Sequence, residues 1–459
     1  MKNQKTAQDT AAALTTLSQE LEQLMQVGLN RAKDTRADAA KFSASCAFER
    51  RLVVENKEFT LANSLESQKL GLVVHKDKKK GSAQINTKSG EAVAKAVDDA
   101  MALAAFSVPD EALVMARAQD APRVKPLPFM WDEELSNIEL GELQEIMQTG
   151  LSAAIKDKRV ALDKFDLGCN VSWSGLANSQ GVVQAERQTM VTWSFFGMAV
   201  DGSEVSGFDY DVGFAWHRKG LEDRLIQSAA LFAERVTRNL SPQKCPTYKG
   251  PVIFSPRAVE DLLVGMILYH ASGSAVMDGK SQWSKGIGTD VLSKLFTLTD
   301  DPHAEAMSGA TAFDGDGLPT RAQKIVENGK LLTHLHDLYT ARRTGAKSTA
   351  TSGGPFALAV AGGTAKFQEL ADARGEILLV DRFSGNSDPV KGDFSGVAKS
   401  SRIYRNGKDA GCVAETMIAG NFFEIAKQLL MATRETEVVQ GSFVSPWIWV
   451  DGISVTGAS

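Results

Sequence analysis

A chain of 459 residues, 43% hydrophobic and 23% charged, can bury two sizeable cores and is too long for one compact domain. A formal net charge of −5 gives no footprint for a nucleic-acid surface, and no stretch offers about 20 uninterrupted apolar residues for a membrane span. The first 24 residues, interrupted by Asp9 and Glu20, lack a signal-peptide core, and Cys46, Cys169, Cys245 and Cys412 form no CxxC pair, so a cytoplasmic protein with reduced, mostly buried thiols is expected.

Leu14, Leu17, Leu21 and Leu24 recur at helical spacing and predict an amphipathic helix over 10–31. Residues 42–87 alternate and break repeatedly, which predicts three or four short antiparallel strands with turns at 55–57, at 66–69 and at the basic tip HKDKKKG, read as a solvated hairpin turn. A helix follows from Gly90 through AVAKAVDDAMALAAF, then a proline-rich connector over 109–128. Beyond a helix near 138–156, residues 160–217 predict a second meander with turns at 178–181 and 201–202, closed by a helix over 221–239. Residues 1–240 are thus expected to form an N-terminal α/β domain of two meander-plus-helix halves.

From NLSPQKCPTYKGPVIFSPR the chain is expected to enter a β-rich domain, residues 241–459. Asp-Gly and Gly-Gly turns separate short apolar runs such as EILLV, and the end, PWIWVDGISVTG, reads as a strand. Helices are expected at 256–270, with Ser255-Pro256 as cap and first turn, and at 421–433. The expected class is α+β, with antiparallel meanders and packed helices first and a barrel-like antiparallel sheet after.

Several residues suggest chemistry. His334 and His336 in HLHD, at period two, would share one face of a strand and could share a metal, with His303 a third candidate; packing is the alternative reading. Ser272 or Ser274 with Lys280 offers a Ser-Lys pair, although the spacing is not S-x-x-K and a Gly-Ser bend explains both serines. Asp314 and Asp316 in DGDG could serve acid–base work or a hard cation, but the motif is first a tight turn.

The stretch YHASGSAVMDGK, residues 269–280, together with DGDGLPTRAQKIVENGKLLTHLHDLYTARRTG and FSGNSDPVKGDFSGVAKSSRIYRNGK, resembles the TldD/PmbA family, also called TldD/TldE or modulator-of-gyrase proteins. With LESQKLGLVVHKDKKKGSAQINTKSGEAVAKAVDDAMALA upstream, the likeness spans nearly the whole chain. The resemblance implies that a TldD-type catalytic subunit ends this helix in H-E-x-x-x-H, two zinc ligands and a general base, with a C-terminal cysteine as third ligand. Those positions fall here on Tyr269, His270 and Ser274, and the cysteine position lies near Gln440; Cys412 is the only thiol of the last two hundred residues and sits in another segment. The chain therefore resembles the PmbA/TldE type, which lacks the motif. No cofactor is expected in this chain and zinc is expected in a TldD-type partner. The resemblance implies a non-catalytic subunit of a TldD/TldE-type metallopeptidase acting on unfolded peptides or peptide precursors. The alternatives are a non-enzymatic homodimeric binding or regulatory protein and a metal-free hydrolase. Under the first reading the glycine-rich 351–363 segment would let a peptide backbone approach.

Overall fold

The leucine stripe of the first helix finds its partner at once in the computed structural model, which describes residues 9–86, 89–414 and 416–457. Leu14, Leu17, Leu21 and Leu24 are buried along α1 (Thr10–Asp34), capped by the Asp9 carboxylate, which accepts from the Ala12 amide. They lie against a sheet that begins with β1 (Ala39–Glu55), β2 (Glu58–Lys76) and β3 (Lys79–Ile85). Asn56 and Lys57, then Asp77 and Lys78, all take positive φ, the geometry that joins strands through two-residue turns.

The expected turn at 66–69 is absent. β2 runs straight through it, with Glu66, Ser67, Gln68 and Lys69 opposite Phe48, Ala47, Cys46 and Ser45. Only β1 flanks β2 there, because β3 pairs from Leu70 onward, so the polar residues mark a solvated edge and not a bend. Residue 87, included in that meander, and residues 1–8 lie outside the described residues.

After α2 (Gly90–Phe106) and the connector come a helix at Leu140–Ala154 and two long strands, β4 (Val160–Asn178) and β5 (Val183–Asp201). β4 pairs antiparallel with β1, so the two predicted meanders are one seven-stranded sheet. Its order is β3-β2-β1-β4-β5, with β6 (Glu204–Val205) and β7 (Asp209–Ala215) both on β5. Inward side chains shift phase along β4, from Val160 and Leu162 to Phe165, Leu167 and Cys169, at an irregularity between Leu162 and Lys164. The helices, including Leu221–Thr237, pack on one face around a single large core. The opposite face carries small and polar residues such as Ser43, Ser45, Gly71 and Ser174.

The second half forms a 13-stranded sheet over its own core. Phe443–Thr456 is its axis, pairing with four strands. The barrel-like antiparallel expectation needs correcting in two respects. Two pairings are parallel, Glu376–Val380 on Tyr248–Phe254 and Leu358–Val360 on Phe443–Thr456, and among the described residues the ordering ends at Lys330–Leu331 and Lys408–Cys412 without closing into a barrel. The α+β class holds. The expected helix at 421–433 is a single turn, Phe422–Ile425, and Leu429–Val439 is a strand hairpinned to Phe443–Thr456. Long-range pairing has overridden local helical propensity there.

Residues 256–271 are helical throughout, capped by Ser255 and interrupted by a π-helical turn at Glu260–Val264. Val259, Leu262, Leu263 and Met266 face the core. No helix among the described residues is long and apolar enough to cross a membrane.

Candidate functional site

Helix 256–271 carries Tyr269 and His270 on its last turn and then breaks at Ser272, whose side chain caps a short helix, Gly273–Met277, by accepting from the Ala275 amide at 3.1 Å. Leu335 locks this break in place: its amide donates to the Ala271 carbonyl at 2.7 Å, and the Gly273 amide donates back to its own carbonyl at 2.7 Å. Gly273 is obligatory at the crossing, because an added Cβ would sit 2.3 Å from His336 Nδ1 and 2.8 Å from the Leu335 carbonyl.

His270 is fully buried. Its ring packs against Trp283 and Phe423, with centroids at 5.5 and 4.9 Å, and Nδ1 accepts from the Gln282 amide at 3.2 Å. Nε2 has no partner of good hydrogen-bond geometry among the described residues, the Pro389 carbonyl offering only a looser interaction. Burial lowers its pKa, so the imidazole is neutral. Tyr269 is half-buried and Ser274 is exposed.

Zinc requires imidazole, thiolate or carboxylate donors converging from several sides. Here the donors would be a phenol, an enclosed imidazole and an exposed hydroxyl, and this set does not fit the metal. Gln440 does not join them. It occupies the hairpin turn before Phe443–Thr456, at positive φ, and its Nε2 donates to the Tyr210 hydroxyl at 3.4 Å. The Tyr210 ring lies 5.9 Å from the Arg257 guanidinium, at the start of the helix, and the helix rises about 18 Å from there to Tyr269 on its last turn. Cys412 is buried as well, its thiol donating to the Leu240 carbonyl and raised in pKa by burial.

The other sequence candidates separate cleanly. Lys280 pairs with Asp278 at 3.0 Å, whose hydrogen bond and charge raise the ammonium pKa, the opposite of what a Ser-Lys base requires. Asp314 is a turn residue: its carboxylate accepts from the amides of Asp316, Leu318 and Ser352, while burial and then the Asp316 charge push its pKa up to about 6. Asp316 turns away to Lys41 at 3.2 Å and to the Leu338 amide at 3.0 Å, so the two carboxylates clasp a loop onto the first sheet and do not converge. In the glycine-rich segment the close approach is internal. A Cβ at Gly363 would meet the Ala432 carbonyl at 2.3 Å, whereas one at Gly353 would meet nothing within 4 Å, so the chain's own strand fills the space at one end of the segment only.

His334 and His336 do come together, although not on a strand as their spacing predicts; only Leu335 between them makes a bridge, to Ser272. Their ring centroids are 6.1 Å apart at 81°, both are 4% exposed, and both line a pocket of about 510 Å³ beside Val276 and Ser348. Burial lowers the pKa of each. His303 is exposed, its Nε2 on the Thr320 hydroxyl at 3.1 Å, and none of its described contacts involves the other two. Among the described residues no group of three or more His, Cys, Asp or Glu gathers in metal-binding geometry.

Two features escaped the sequence. Glu260, on the π-helical turn, is pushed up to about 7 by burial and then by the Asp261 charge. Arg257, at 4% exposure, bridges Asp209 of β7 at 2.8 Å and Asp381 of the second sheet, which Arg238 also reaches at 3.2 Å. Burial raises the Asp209 carboxyl, but the charges of Arg257 and Arg382 and the hydrogen bonds from Arg257 and Ser400 outweigh it and hold it at about 2. A groove of about 940 Å³ lies elsewhere, over the open face of the first sheet beneath the 313–315 loop.

Residues 247–457 match the model of the PmbA/TldA metallopeptidase C-terminal domain. The chain is 28% identical to the metalloprotease PmbA homolog of Haemophilus influenzae, over 94% of this chain and 95% of that protein. It is 27% identical to the metalloprotease PmbA of Escherichia coli O157:H7, over 84% of each. Among solved structures, TldE from Thermococcus kodakarensis superposes with a TM-score of 0.81 at 22% identity, over 95% of this chain and all of that one. A Thermotoga maritima protein solved as a candidate modulator of DNA gyrase gives 0.82 at 20% identity, with the same coverage.

Proposed function

Because the chain belongs to the TldD/PmbA family, whose peptidase-related role its relatives' names carry, we propose that it is the PmbA/TldE-type, non-catalytic subunit of a TldD/TldE-type metallopeptidase acting on unfolded peptides or peptide precursors. The observation that supports this is His270. At the position a general base would take stands a neutral, enclosed imidazole packed by aromatic rings, flanked by a phenol and an exposed hydroxyl where metal ligands would stand. The scaffold around that motif is kept while its chemistry is gone. In this reading zinc and general base belong to a TldD-type partner in a cytoplasmic heterodimer, and this chain, divided near residue 240, shapes the passage for an extended peptide.

The test is a peptidase assay on an unfolded substrate with this chain alone, a TldD-type partner alone and the two mixed, with metal content measured for each. Activity in the mixture, absent from this chain alone, is the expected result. Activity of this chain alone overturns the reading, and failure to associate with any HExxxH-bearing chain while forming a stable homodimer favours the regulatory alternative.

A further inference from the structure

The hydrogen bonds around His334 and His336 fix which nitrogen of each ring is free. His334 Nε2 lies 2.9 Å from the Trp283 carbonyl, which can only accept, so Nε2 carries the proton and Nδ1 keeps its lone pair. His336 Nδ1 lies 3.2 Å from the Thr340 hydroxyl, whose single proton goes to the Asp337 carboxylate at 2.6 Å. Thr340 can therefore only accept from the ring, so Nδ1 carries the proton and Nε2 keeps its lone pair. No described residue takes up either remaining nitrogen, and both rings border the same pocket.

We propose that His334 and His336 bind one divalent cation of the imidazole-seeking kind, zinc, copper(II) or nickel(II), in this pocket. The spacing is within reach of one ion: with metal–nitrogen bonds of about 2.0–2.1 Å, each ring centre lies about 3.2 Å from it, and centres 6.1 Å apart then correspond to a nitrogen–metal–nitrogen angle of about 145°, wider than tetrahedral, which a small turn of either ring would narrow. The surroundings match what holds a ligating imidazole in orientation, an N–H given on one ring to a backbone carbonyl and on the other to a hydroxyl backed by a carboxylate. None of the described lining residues is acidic, so the donor set is nitrogen only and selects against magnesium and calcium. Arg321 and Lys347 stand exposed at the rim, where solvent screens their repulsion of a cation. The remaining coordination positions open to the pocket and take water. This site adjoins the Ser272–Val276 turn but takes no ligand from Tyr269, Ser274 or Gln440, and it does not depend on the peptidase reading.

The experiment uses tag-free full-length protein stripped with chelator, titrated with copper(II) and followed by electron paramagnetic resonance, with zinc(II) as competitor and magnesium as control. One equivalent of copper whose spectrum shows coupling to two imidazole nitrogens, displaced by zinc and not by magnesium, is expected. His334→Gln and His336→Gln should each weaken binding at least tenfold, and His303→Gln should leave it unchanged. A spectrum without imidazole coupling in the wild-type protein overturns the proposal whether or not the variants fold, and so does binding that both variants keep in folded form.

Discussion

The two ends of helix 256–271 hold polar groups in opposite ways. At its start Arg257 is buried and answered by Asp209 and Asp381, carboxylates brought from the two sheets. At its end His270 is as deeply buried, but a single amide and a ring of aromatic side chains are its surroundings. The first end keeps charge because charge joins the two halves of the molecule. The second carries none, since burial lowers the pKa of an imidazole enclosed by aromatic rings. A buried ion pair is costly to break, whereas an aromatic pocket tolerates exchange, so variants at the two ends should behave differently.

The largest effect belongs to the first end. Arg257→Met leaves Asp209 and Asp381 buried without their main partner, and denaturant unfolding should register a loss of about 3–5 kcal/mol. The same network sets the acid limit. Because Asp209 is held at about 2, below its unfolded value, its contribution is present above about pH 4 and is lost as pH falls toward 2. Wild-type stability should drop across that window, and the drop should shrink in Asp209→Asn. An unchanged acid profile in that variant would remove the network from the account. Next in size, Gly273→Ala drives a methyl into the Leu335 carbonyl and His336, and a loss of about 1–3 kcal/mol is expected; a melting temperature equal to wild type would show that the crossing is loose.

Glu260 provides a smaller contrast along the same helix. Its folded pKa, about 7, lies above the unfolded value, so the folded state binds more protons between about pH 4.5 and 7 and loses stability as pH rises through that range. Partial exposure limits this to about 1–2 kcal/mol. Glu260→Gln should flatten the stability–pH profile between pH 5 and 7, as measured by urea unfolding at each pH; a profile that keeps its slope would place the titration elsewhere.

What was legible in the sequence was local. The leucine stripe of α1 and the turn at Asn56-Lys57 each rest on residues a few positions apart, and both stand where pattern predicts. The 66–69 segment misled because a polar run reads alike as a turn and as a strand edge without a neighbour, and only the start of β3 pairing at Leu70 distinguishes them. Leu429–Val439 misled because its pairing with Phe443–Thr456 outweighs its apolar spacing. The ion network was out of reach, since Asp209 and Asp381 stand 48 and 124 residues from Arg257. The histidine pair was visible as spacing, but the state of its nitrogens depends on Trp283, 51 residues away, and on the Asp337–Thr340 turn.

The smallest expected effect is the one that tests the comparison most directly. If the helix end is packing, replacing His270 in the complex with a TldD-type partner should change peptidase turnover by no more than a few fold. Loss of a general acid or base lowers rates by about a hundredfold or more. His270→Ala leaves a cavity among Trp283, Phe422 and Phe423, so lost activity there could reflect a loosened fold. His270→Phe supplies the control: it keeps an aromatic ring in an aromatic pocket, abolishes both ring nitrogens, and gives up only the bond from the Gln282 amide and the poorly satisfied Nε2. With melting temperature and assembly confirmed for both variants, near-wild-type turnover in His270→Phe leaves the imidazole without a chemical role. A hundredfold loss in a folded, assembled His270→Phe complex would make the nitrogen itself a participant, and the end of this helix would then have to be read as an active site.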